Sequence, residues 1–219
     1  MAKYNNGVNG AFSGKIGTAI GSHWRDIPYI RSVPRRIRKK PTAKQLDVRA
    51  KFKPVAGFTH KLSKLLMKYY PQVDKHSGTN QAFSDIYNNA LIGSYPDYEI
   101  EYKKICITKG PLLPAEQAFA IASGNGMISF NWADNSTGNM ANADDKALLI
   151  AWLPEISDLR FAIGKTTRSA AGGTLDLVNY LNKEVHLWVA FTTADERVVS
   201  TSVYLGYKQI ERVDLFRRI

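Results

Sequence analysis

Apolar residues recur at intervals of three and four from Val48 to Tyr69 (Val48, Phe52, Val55, Phe58, Leu62, Leu65, Leu66, Tyr69), the spacing of one face of a helix. Thr42 and Gln45, three apart, form a capping box in front of this stripe, and Pro41 keeps the residue before it extended. Pro54 and Gly57 interrupt the pattern. Proline lacks an N–H and clashes with the turn before it, so the sequence predicts two helical pieces, 43–53 and 54–69, with a break within about two residues of Pro54. A further helix is expected near 80–92, opened by Ser77-Gly78-Thr79. It carries Phe83, Ile86, Tyr87, Ala90 and Leu91 on one face and Gly93 after its end.

From Tyr98 onward the period changes to two. Strands are expected at 98–108, 117–123, 126–133, 146–153, 159–164, 173–178, 184–193 and 197–207, bounded by turn signals such as Gly124-Asn125-Gly126 and Ala171-Gly172-Gly173. Short strands at that spacing make a β-sandwich, with Trp132 and Trp152 in its core because each closes an apolar alternation. Residues 1–41 show no helical period. Ile16, Ala19, Ile20 and Trp24 run up to Arg25-Asp26, and Tyr29-Ile30-Arg31-Ser32-Val33 runs back, which predicts a β-hairpin. Its glycines match neither a phosphate loop, since Asn9 and Ile16 stand where glycine and Ser/Thr are required, nor a membrane-helix motif, since Lys15, His23 and Arg25 flank too short an apolar run. Bends or close backbone approach explain them. The fold class is therefore α+β: an N-terminal module (1–96) of hairpin, basic linker and helices, divided at Tyr95-Pro96-Asp97 from an antiparallel sandwich (97–219).

Met127–Trp132, Ala147–Trp152 and Val185–Phe191, followed by Ser200-Thr201-Ser202, resemble the B, C and F–G strands of fibronectin type III and immunoglobulin-like domains, although Val185 stands where such domains usually carry a tyrosine. A second resemblance covers nearly the whole chain. Phe12-Ser13-Gly14-Lys15, Gly17, Gly21-Ser22, Trp24, Tyr29, Arg31-Ser32, Pro34, Pro41-Thr42, Gln45, Arg49 and Lys51-Phe52, with Tyr95-Pro96-Asp97-Tyr98, Trp132 and Asp145-Lys146-Ala147 later, resemble a family of Bacteroidota proteins of unknown function. That likeness implies the same layout and no activity.

At 219 residues, 44% hydrophobic and 22% charged, the chain has ample apolar mass for a core. Its net charge of +11 is uneven: residues 1–96 hold seventeen Lys and Arg against four acids, and residues 97–219 hold thirteen against fifteen. The run Arg35, Arg36, Arg38, Lys39 and Lys40 contains no acid. A local field of this kind suits a phosphate backbone or an acidic protein surface. No apolar stretch approaches the length of a membrane span or of a signal-peptide core, so cytoplasmic synthesis is the expected setting.

Candidate chemistry is sparse. His23, His60, His76 and His186 have no metal-ligand spacing, and Cys106, the sole cysteine, is expected as a packed thiol. Asp144-Asp145 and Asp195-Glu196 are expected in turns, and Asn135-Ser136-Thr137 is a glycosylation sequon only in an exported protein. With no nucleophile, base and oxyanion set, the expectation is a non-enzymatic protein without cofactor or metal. Two functions remain. One is a structural subunit of a filament or virion-like particle, a homo-oligomer assembled through Ile16, Ile20, Trp24, Tyr29 and Ile30, with the sandwich outward. The alternative is nonspecific nucleic-acid binding through Arg31, Arg35, Arg36, Arg38, Lys39 and Lys40, continued by the helix lysines, with Trp24 and Tyr29 stacking on bases.

Overall fold

The glycine-rich start of the chain forms an antiparallel meander in the order β1-β2-β3-β4, with β1 at Lys3–Tyr4, β2 at Phe12–Ile16, β3 at Ala19–Trp24 and β4 at Ile27–Ser32. Where one hairpin is expected there is a second, because Gly17 (φ 55°) and Thr18 close a two-residue turn that pairs Ile16 with Ala19. The computed structural model describes residues 3–4, 10–24, 27–34, 40–73, 76–138 and 140–210. They divide into two units, 1–42 and 43–219.

The second unit opens with α1 (Ala43–Lys61), α2 (Ser63–Tyr69) and α3 (Gly78–Asn89), followed by a hairpin of β5 (Leu91–Ser94) and β6 (Asp97–Ile100). The expected break at Pro54 is absent; α1 continues through it, and the interruption falls at Leu62. Even there the ladder persists, with Leu62 N–H donating to Phe58 O (3.2 Å) and Leu66 N–H to Leu62 O (3.0 Å). One hydrogen bond lost to proline is offset by Val55 and Phe58, both buried directly after it, Phe58 edge-on to Trp152 at 4.9 Å. Ser77 caps α3, its hydroxyl accepting from Asn80 N–H.

Seven strands then build the sandwich: β7 (Glu116–Ala122), β8 (Met127–Ala133), β9 (Lys146–Leu153), β10 (Asp158–Thr167), β11 (Gly172–Asp176), β12 (Glu184–Thr192) and β13 (Val203–Gln209). One sheet is ordered β11-β8-β7 and the other β10-β9-β12-β13, all pairs antiparallel. Trp132 and Trp152 are buried, as their places in the pattern predict. The expected strand 98–108 is instead β6, a short 3-10 turn at Tyr102–Lys104 and an extended strap. Strap backbone groups bond to side chains and loops rather than to a neighbouring strand: Ile105 O accepts from Trp188 Nε1 (3.0 Å), and Ile107 N–H donates to Ser202 Oγ (2.8 Å). The last strand starts at Val203 rather than 197, because Thr192–Val199 closes the turn before it and Ser200 pairs with Pro111 and Leu112.

β9 and β12 are the centre of the four-stranded sheet, and both of their faces are dry. Leu148, Ile150, Trp152, Trp188 and Ala190 face Val55, Phe58, Leu62 and Leu66 of the helices. Ala147, Leu149, Leu187, Val189 and Phe191 face Ile128, Phe130 and Trp132 of the other sheet. Helices, four-stranded sheet and three-stranded sheet thus form three stacked layers. This corrects the expected boundary at Pro96, which lies at the tip of the β5–β6 hairpin: the helices share a core with the sandwich, so the chain divides at Thr42 instead.

Polar ties support the stack. Glu196, in the turn after β12, accepts from Lys68 of α2 and from Lys146 of β9 (3.0 Å), and these ammonium groups, Lys68 first, pull its carboxyl from 4.5 to about 2. A depressed folded pKa means that the contribution is complete above about 4.5 and is lost as pH falls towards 2. Urea titrations at a series of pH values should therefore show Glu196→Gln losing less stability than wild type across that window. Shortening Leu148 to Ala, with its side chain fully buried on the helix-facing side, should cost about 2–5 kcal/mol. Because the sheet is shared, far-ultraviolet dichroism and core tryptophan fluorescence should report a single transition for residues 43–210, and two separated transitions would contradict the shared core.

Candidate functional site

Among the described residues of 1–42, the position of Gly21 is buried and no side chain is. Gly21 accommodates a close approach: a Cβ there would collide with the carbonyl and ring of Phe12, and Gly14 (φ 109°) supplies the bend that brings Phe12 over it. Elsewhere the sheet is open. Register places Ile20 opposite Arg31, Ser22 opposite Tyr29 and Trp24 opposite Ile27, so Ile20, Trp24, Ile27, Tyr29 and Arg31 share one face. Ile16, paired with Ala19, and Ile30, paired with Gly21, lie on the other. The five residues expected at an assembly contact are thus split three and two across the sheet. Trp24 is 50% exposed, Ile27 58% and Ile30 67%.

Among the described residues β4 is also an edge strand of this sheet. Val33 N–H donates to Thr18 O (3.0 Å), which sets the alternation so that the backbone groups of Pro28, Ile30 and Ser32 point away from β3. Proline, having no N–H, takes an outward position without losing a ladder bond. A cleft of about 300 Å³ lies between Ala11–Phe12 and Pro28–Ile30.

Of the residues expected to meet an anion, Arg31 and Lys40 are exposed, whereas Arg35, Arg36, Arg38 and Lys39 lie outside the described residues. Cys106 is half-buried, and burial pushes its thiol pKa up. His186 is buried on β12 with Nδ1 2.7 Å from the Tyr204 hydroxyl and Nε2 3.2 Å from Glu184; burial holds its pKa below the ordinary value, against the pull of that carboxylate. Among the described residues no group of three His, Cys, Asp or Glu is placed to hold a metal ion, and no helix is long and apolar enough to cross a membrane.

One charged cluster escaped the sequence pattern. Asp145, expected as a turn residue, is 1% exposed, and its Oδ2 accepts from Arg168 Nε and Nη2 (both 3.1 Å) and from Asn142 N–H (3.0 Å). Arg168 is fully buried, 4.0 Å from the Phe191 ring centroid, and donates further to Asn135 Oδ1 (2.7 Å) and Leu113 O (3.0 Å). Its own carbonyl accepts from Trp132 Nε1 (2.8 Å). Asn135 Nδ2 in turn donates to Pro114 O (3.1 Å), so the sequon amide is bonded on both sides. Burial lowers the guanidinium pKa and Asp145 opposes that fall. The cluster joins three connections at one end of the sandwich: the segment before β7, the β8–β9 connection and the β10–β11 connection. Nothing periodic marks Arg168 in the sequence; an arginine before the small residues Ser169-Ala170-Ala171 was the one available cue.

Similarity to a family signature extends over residues 11–206, which takes in the N-terminal sheet from β2 onward, the helical layer and the sandwich into β13. The chain belongs to DUF6266, a family of unknown function. No curated protein sequence matches it. Among solved structures, the fibronectin type III domain of the human collagen alpha-1(XX) chain is similar over 46% of this chain and 87% of its own, at 10% identity and a TM-score of 0.36.

In this DUF6266 protein, Arg168→Met should destabilise the fold by about 3–5 kcal/mol, because it strands the Asp145 carboxylate, whose Oδ1 already lacks a bonding partner among the described residues. Adding Asp145→Asn should recover part of the loss, giving a non-additive cycle in urea denaturation.

Proposed function

We propose that this chain is a non-enzymatic structural subunit that assembles with further copies of itself, through its N-terminal sheet, into a filament or virion-like particle, with the sandwich as the displayed part. The observation that carries this reading is the four-stranded sheet with no buried side chain among its described residues, while Trp24, Ile27 and Ile30 are half or more exposed. Apolar burial contributes about 25 cal/mol per Å², against a cost on the order of 1.5 kcal/mol for ordering each residue, so such a sheet is not self-sustaining and needs a surface to lie on. A neighbouring copy supplies it: the apolar faces repeat in every subunit, and the β4 edge has backbone groups open to strand addition.

Deleting residues 1–33 tests this. The remainder should stay folded and monomeric by sedimentation velocity while particles formed by the full chain disappear. In the full chain, Trp24→Ser with Ile27→Ser should likewise reduce particle mass without changing the urea midpoint of residues 43–210. Particles that persist in both variants, or a truncated chain that loses stability and exposes apolar surface, would refute the assignment.

A further inference from the structure

The outer side of the helical layer carries a second surface, independent of the N-terminal sheet. Residues 55, 58, 62, 65, 66 and 69 turn inward, and the opposite side of α1 and α2 presents Arg49, Lys53, His60, Lys61 and Lys64, all exposed. None of the five has an ion-pair partner among the described residues. Because the hydrogen-bond ladder runs on through Leu62, these groups form one ridge, spanning about 22 Å from Arg49 to Lys64 at 1.5 Å per residue. The described acids on these helices are already engaged elsewhere: Asp47 with Lys51 and the Tyr98 hydroxyl, Asp85 with the Tyr70 hydroxyl and Lys109. Glu99 of β6 lines a cleft with Lys53 but forms no ion pair with it, so the four cations Arg49, Lys53, Lys61 and Lys64 are left largely uncompensated, and their complement is an external anion.

Beside the ridge lies a groove of about 230 Å³ between α1 and α3, walled by Phe52, Ala56, Ser63, Asn80 and Phe83, with His60 at its basic side. Phe52 is 52% exposed although it lies in contact with Phe83, ring centroids 4.8 Å apart. A positive track flanked by an open aromatic ring held on a rigid helix is the arrangement that takes successive phosphates while a base stacks on the ring. A peptide of acidic residues alone would complement the charge but has no side chain to stack on the ring, and a duplex has no unstacked base to offer it. We infer that this face binds single-stranded nucleic acid, phosphates along Arg49, Lys53, Lys61 and Lys64 and a base over Phe52.

The test is fluorescence anisotropy with labelled oligothymidylate and the full chain, between about 50 and 200 mM salt. Lys53→Ala, Lys61→Ala and Lys64→Ala together should flatten the slope of log K against log salt by about two units, following a dependence of about 0.7 per phosphate contact on single strands. Phe52→Ala should weaken binding roughly tenfold at every salt concentration while leaving that slope unchanged. The basic run at 35–40 could bind the same probe, so both variants are also measured with Arg35, Arg36 and Arg38 changed to Ala; the helix effects should persist there. Absence of binding at 50 mM salt, a slope that depends on Arg35, Arg36 and Arg38 alone, or equal affinity for polyglutamate or duplex with no effect of Phe52→Ala would each overturn the assignment. Dichroism identifies any variant that fails to fold, and Lys53→Gln with Lys64→Gln then replaces it, with a flattening of about 1.4 units expected. Particle size by sedimentation should be unchanged in these variants, which separates this surface from the assembly reading.

Discussion

Burial of β9 and β12 on both faces is the constraint on which the second unit rests. An antiparallel sheet commonly keeps one face wet and alternates apolar with polar side chains. Here Ala147-Leu148-Leu149-Ile150-Ala151-Trp152-Leu153 and Val185-His186-Leu187-Trp188-Val189-Ala190-Phe191 are buried throughout, so neither the helices nor the three-stranded sheet can be removed without exposing half of each strand. Most polar groups caught in these strands are accordingly bonded: Trp188 Nε1 to Ile105 O, His186 to Tyr204 and Glu184, Thr192 Oγ1 to Val198 O; Trp152 Nε1 on β9 is buried without a partner among the described residues. The strap at 105–108 owes its course to those demands.

Charge is handled differently at the two ends of this scheme. Within the sandwich, Arg168 and Asp145 are removed from water together, and the guanidinium is occupied by carboxylate, amide, carbonyl and the face of Phe191. That geometry pins the segment before β7, the β8–β9 connection and the β10–β11 connection into one end-plate. On the helices, burial of a single stripe leaves the opposite side under no packing constraint, and the basic residues collect there. Paired charge inside serves the fold, and unpaired charge outside is available to a partner.

The two units also differ in where their apolar residues are used. Residues 43–210 enclose two cores that share a sheet. Residues 1–42 carry Trp24, Ile27, Tyr29 and Ile30 on strands that bury none of them. Large β-branched and aromatic side chains favour strands through local sterics, so the meander forms with its apolar groups outward.

Much of this architecture was legible in the order of residues. Periods of 3.6 and 2 are local properties, set by which side chains follow each other on one face, and they located β8, β9 and β12 to within one residue and α3 to within three, and marked Trp132 and Trp152 as core. Ile16, Ile20, Trp24, Tyr29 and Ile30 were visible as apolar residues in strands too short to enclose them. Long-range matters were not legible. Continuation of α1 through Pro54 depends on Val55 and Phe58 finding Trp152, nearly a hundred residues later. The unbroken apolar runs of β9 and β12 carried the signal of a twice-covered sheet, yet which layers cover it is settled by strand order. Asp145 reads as a turn residue until Arg168 is folded beside it, and the side of the sheet on which each N-terminal apolar residue falls follows from register. Local sequence determines which residues can share a face; only the tertiary structure decides what that face meets, because burial and pairing are properties of two surfaces and the chain writes down just one at a time.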